Sequence, residues 1–175
     1  MSFKIEVRKK ENLGKLDPED KRTDDAIWST YPDLDDNFCL KFSDFTIELN
    51  FRGDLPIIYK DVIKILMNVK AGERKFFWSF LSSSFTARWE CEVIENKVLI
   101  HPSWTTVLMY DRNGNFVEAA DYRSYEHVQE LDKENFLNEW DQMLLSVARD
   151  LKRVGYDENL EDFDYLADLL KKYGE

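Results

Sequence analysis

The chain has 175 residues, 43% hydrophobic and 14% aromatic, enough for one domain with a sizeable core, which excludes a chain left unfolded for want of apolar side chains. Thirty-five acidic against 24 basic residues give a net charge of −11, which disfavours direct binding of nucleic acid or anionic membrane and favours a basic protein partner. Two cysteines, Cys39 and Cys91, make neither a disulfide framework nor a zinc site, and no apolar run reaches the ~18 residues of a membrane span, so the expected location is the reducing cytoplasm.

Phe3, Ile5 and Val7 alternate with charged residues and predict a short strand. Residues 9–37 are rich in Lys, Asp, Asn, Gly and Pro and read as a largely irregular connection, pinned to the body by Ile27, Trp28 and Tyr31. Phe38, Leu40 and Phe42 alternate, and Phe45, Ile47, Leu49 and Phe51 do so with Thr46, Glu48 and Asn50 on the opposite face, the pattern of half-buried antiparallel strands. Cys39, between Phe38 and Leu40, is open to exposure by the same alternation. Arg52-Gly53-Asp54 supplies a turn. Pro56 suits a helix start, Ile58, Val62, Ile65, Leu66 and Val69 share one helical face, and Gly72 is a stop.

Period 2 returns at Phe76, Trp78 and Phe80. Ser82-Ser83-Ser84 reads as a loop. Next, Ala87, Trp89, Cys91 and Val93 point inward while Thr86, Arg88, Glu90 and Glu92 point outward. A two-residue turn at Glu95-Asn96 sets Cys91 opposite Ile100 and Glu90 opposite His101, which joins the apolar sets on one face. Asn113-Gly114 predicts a further hairpin between Tyr110 and Phe116. Asp132 is an N-cap with Leu131 and Phe136 as a staple, and Phe136, Leu137, Trp140, Met143, Leu144, Val147, Ala148 and Leu151 form the stripe of a long helix ended by Gly155. A last helix is expected after a cap at Asn159, with Leu160, Phe163, Leu166, Ala167 and Leu170 buried. The expected fold is α+β: a single domain over 1–175, with an antiparallel sheet, one central helix, and two C-terminal helices (132–173) packed on one face or end.

Motifs of catalysis are absent. The two histidines, His101 and His127, stand in no HxxxH or HExxH pattern, no Gly-rich phosphate loop or GxSxG occurs, and the predicted register puts Cys91 and His101 on opposite faces. Asp111–Asn115 lacks the distal Glu of a calcium loop. No catalytic residue, metal or cofactor is expected.

Charge is the informative feature. Residues 1–16 carry net +3, 17–54 carry −7, 55–117 carry +2 and 118–175 carry −9. Two acidic clusters stand out. The first is Asp33, Asp35 and Asp36, with Trp28 and Tyr31 beside it as candidate aromatic anchors. The second is Asp157, Glu158, Glu161, Asp162 and Asp164. The plainer reading of each cluster is a solvated surface or helix start, and that of Trp28 and Tyr31 is core packing.

With its Asp- and Glu-rich segments, the aromatic run Phe76-Phe77-Trp78-Ser79-Phe80 and an acidic helical tail, the chain resembles the immunity proteins of bacterial polymorphic-toxin and contact-dependent inhibition systems. The resemblance is one of whole-chain character and assigns no residue a role. It implies a non-catalytic protein that binds and neutralises one cognate toxin, often a basic nuclease. Alternatives are another regulatory interaction protein, a nucleic-acid mimic, or an enzyme using carboxylates in a cleft.

Overall fold

Alternating aromatic and aliphatic residues build the first sheet. In the computed structural model, which describes residues 3–8, 12–43, 45–82, 85–110, 116–118 and 127–174, strands β1 (Lys4–Arg8), β2 (Asn37–Lys41) and β3 (Thr46–Asn50) pair antiparallel in the order β1-β2-β3. Ile5 faces Leu40 and Leu40 faces Ile47, so the inward sets are in register. The free edge of β1 is covered by α3 (Lys133–Val154): the Ile5 N–H donates to the Glu139 carboxylate at 2.7 Å, and the Asn135 amide donates to the Phe3 carbonyl at 2.6 Å. Covering an edge in this way removes a template for pairing with another chain.

The second sheet is also antiparallel and holds β4 (Lys75–Leu81), β5 (Phe85–Ile94), β6 (Lys97–His101), β7 (Trp104–Tyr110), β8 (Phe116–Glu118) and β9 (Gln129–Asp132). Its six strands lie in four ranks. On one side β5 pairs with β4, and on the other with β6 and β7 end to end, since Ser103 between them still accepts the Arg88 N–H at 2.9 Å. The fourth rank is β9 beside β6 and β8 beside β7. The register predicted from the Glu95-Asn96 turn is observed: Cys91 faces Ile100 and Glu90 faces His101. Tyr110 pairs with Phe116 as expected, while the turn between them, like Ser83 and Ser84, lies outside the described residues.

Four helices complete the α+β fold: α1 (Thr23–Thr30), α2 (Leu55–Ala71), α3 and α4 (Asp164–Lys172). Asp132 caps α3 by accepting the Asn135 N–H at 2.8 Å, and Gly155 ends it in the left-handed conformation, as Gly72 ends α2. α3 is buried on most of its circumference and packs against β1, β6, β9 and the other three helices. Its Trp140 meets Phe38 of the first sheet and Trp78 of the second edge-on, at 6.4 and 5.9 Å between ring centres. Phe42 of the first sheet also meets Trp89 of the second at 5.6 Å, so the two sheets share one aromatic core.

Four expectations need correction. The strands form two sheets and not one. Most of the described residues in 9–37 are irregular, but they hold α1, which was not expected there; only eight residues long, with no side-chain N-cap, it is held by the burial of Ala26 and Ile27 rather than by a local signal. Asn159 caps no helix: Glu161 is bonded to the segment before α1 and Asp162 takes a positive φ of 62°, so α4 starts only at Asp164. Cys39 lies on the outer face between Glu6 and Glu48 in the register, yet is buried.

Candidate functional site

Gly14 starts the construction. Its N–H donates to the Thr30 carbonyl at 2.8 Å, and a Cβ there would sit 2.0 Å from the Ser29 carbonyl oxygen. Only glycine permits this approach, which turns residues 14–18 back along the end of α1. The chain then meets Tyr156, just past α3: the Asp17 N–H donates to the Tyr156 hydroxyl at 3.0 Å, and that hydroxyl donates to the Asp20 carboxylate. Burial, and then the bond to Asp20, push the Tyr156 phenol upward, so it remains a donor.

Beside it, the loop before α4 is stitched to α1. The Glu161 N–H donates to the Lys21 carbonyl at 2.9 Å, and the Glu161 carbonyl accepts from the Thr23 N–H at 3.0 Å and the Thr23 hydroxyl at 2.8 Å. The Tyr59 hydroxyl of α2 donates to the Asp162 carbonyl at 3.0 Å, and Lys60 pairs with the Asp162 carboxylate at 2.6 Å. Two acidic segments far apart in sequence, 17–25 and 157–164, thus form one rim. Asp17, Glu19, Asp25, Asp157, Glu158, Glu161, Asp162 and Asp164 are exposed on it, and Asp24 is held by Arg22.

Next to the rim is a shallow cleft of about 490 Å³, lined by Lys15, Leu16, Asp17, Pro18, Trp28, Ser29, Pro32 and Arg52. Trp28 forms its platform. Trp78, Trp89 and Trp140 are wholly buried, whereas Trp28 is 48% exposed. The Arg52 guanidinium stands over its ring at 5.1 Å and is fixed by a 2.7 Å bond from Nη1 to the Pro32 carbonyl.

The structure divides the sequence-derived candidates. Trp28 and the five acidic residues from Asp157 to Asp164 are at the surface, and Asp33 and Asp35 stand in an open loop tied to the end of β3 by the Asn50 amide on the Leu34 carbonyl. Tyr31 and Asp36 are not surface anchors: both are fully buried. The Tyr31 hydroxyl donates to the Asp150 carboxylate at 3.0 Å, and burial holds its phenol far above the usual range. The Asp36 carbonyl accepts the Phe51 N–H at 2.8 Å, which fixes the loop to the first sheet. Sequence reasoning missed Asp17, Asp25, Lys15, Pro32 and Arg52, because their common surface exists only once Gly14 and Glu161 dock on α1.

Among the described residues, no group of three or more His, Cys, Asp or Glu side chains is placed to hold a metal ion. Burial pushes the Cys91 thiol up to about 12, far from a reactive thiolate. Asp61, a carboxyl pushed upward by burial, stands on α2 and lines no part of the cleft. No described helix is long and apolar enough to cross a membrane. The chain matches no protein-family model, no curated protein and no solved structure.

Proposed function

We propose that this chain is a non-catalytic acidic binding protein that docks a basic protein on the rim and neutralises it, in the manner of an immunity protein acting on a toxin. The supporting observation is the backbone stitching at Glu161, which fixes carboxylates of two distant segments on one surface. Fixed like charges repel one another when free and are relieved by an opposite surface, so such a rim accelerates encounter with a cationic partner and selects against anionic ones. Trp28 at its border supplies an aromatic contact of the kind that carries binding energy at interface centres.

The test is capture from native cells on the tagged protein, with washes in graded salt, alongside a variant in which Asp157, Glu158 and Glu161 are all changed to Lys. The expected result is one stoichiometric basic protein, inactive in the complex, with association slowed by about tenfold or more in the variant. Equal capture by the charge-reversed variant would remove the rim from the interface and overturn the proposal.

A further inference from the structure

The immediate lining of the Trp28 cleft reverses the chain's usual charge, although the acidic rim borders it. The chain has eleven more carboxylates than cations, yet the cleft presents Lys15 and Arg52 against one carboxylate, Asp17. One Asp17 oxygen is engaged inside its own turn, accepting the Glu19 N–H at 2.9 Å. Among the described residues no carboxylate pairs with Lys15 or Arg52, and the Arg52 guanidinium makes one hydrogen bond, to Pro32, while the Arg52 backbone N–H donates to Asn50 Oδ1 at 2.8 Å. A guanidinium held by one N–H, with the others open, suits an oxyanion accepting two parallel bonds. Trp28, Pro18 and Pro32 supply flat and apolar walls around it.

We infer that the cleft binds a planar aromatic carboxylate, its ring on Trp28 and its carboxylate on Arg52 and Lys15. This ligand differs in charge from the rim's basic partner, and its site uses none of the 157–164 residues. Arg52 selects the anion; Trp28 selects the flat body.

Titration of the 15N-labelled full chain with indole-3-acetate, indole-3-acetamide and tryptamine separates charge from shape on one ring system. Indole-3-acetate is expected to move the Trp28 indole N–H and Arg52 side-chain signals at millimolar concentration, and to bind about tenfold tighter than the neutral amide, with tryptamine weakest. Arg52→Gln should abolish the preference for the acid over the amide. Lys15→Gln, at an exposed position, should weaken the acid about threefold and leave the fold intact. Trp28→Leu should weaken acid and amide together. Reversing the charges of Asp157, Glu158 and Glu161 should leave the titration unchanged, so the fate of the cleft is read separately from that of the rim. Equal binding of acid and amide, or no shift with any of the three compounds, would overturn the assignment.

Discussion

Single residues in this protein act through close approach and burial. Gly14 has no room for a side chain, because its Cβ direction runs into the Ser29 carbonyl. Gly14→Ala must displace backbone, and is expected to destabilise by about 2 kcal/mol and to loosen the Trp28 cleft; a urea midpoint equal to that of the parent chain would show that residues 14–18 are not seated on α1. Cys91 carries a pH dependence. Its thiol is raised from 9.0 to about 12 by burial, so above pH 9 the unfolded chain loses this proton before the folded chain does. The stability it contributes is whole below pH 9 and is lost as pH rises toward 12. The buried Tyr31 phenol, also raised, acts in the same direction. Urea midpoints measured upward from pH 9 should fall, and fall less steeply in Cys91→Ala; equal slopes would mean that the thiol is not protected.

Elements are held less by their own propensities than by what α3 offers them. α4 has nine residues, too few to persist alone. Besides its apolar face, it is fastened through Asp141 of α3, which is buried and accepts from the Tyr165 hydroxyl at 2.6 Å, from Lys172 at 3.4 Å and from Lys70 of α2 at 3.3 Å. One carboxylate thereby joins three helices. Asp141→Ala removes the acceptor of the Tyr165 hydroxyl and the counter-charge of Lys70 and Lys172, and is expected to cost about 2 kcal/mol and to lower amide-exchange protection in α4 ahead of the sheets. Uniform loss of protection across the chain would instead make α4 part of one cooperative unit. Because α4 follows the 157–164 loop directly, loosening it also disturbs the rim.

At the scale of the whole molecule, the rim places self-repulsion at one surface of a chain whose net charge is −11. Exposed charges are screened within a Debye length of about 8 Å at physiological ionic strength. Raising salt should therefore stabilise the parent chain, and the triple variant at Asp157, Glu158 and Glu161 should gain less from added salt. An unfolding temperature that falls with sodium chloride would indicate that surface ion pairs such as Lys60–Asp162 outweigh the repulsion.

The α+β class, the β5–β6 register and the limits of α3 were legible in sequence because each rests on local rules. Alternation at Ala87–Val93 with a two-residue turn leaves one register, and Asp132 and Gly155 bracket a long apolar stripe. The acidic 157–164 segment could also be named from composition, since clustered carboxylates stay in water. Its neighbours could not. Whether Tyr31 or Trp28 faces solvent depends on Asp150 and Arg52, which approach from distant parts of the chain. α1 forms because a core is waiting for Ala26 and Ile27, and segments 17–25 and 157–164 become one surface through backbone bonds at Glu161 that no periodicity encodes. Sequence thus determined which residues prefer water or core; the tertiary structure decided which charges and rings stand together, because that depends on long-range contacts rather than on neighbours along the chain.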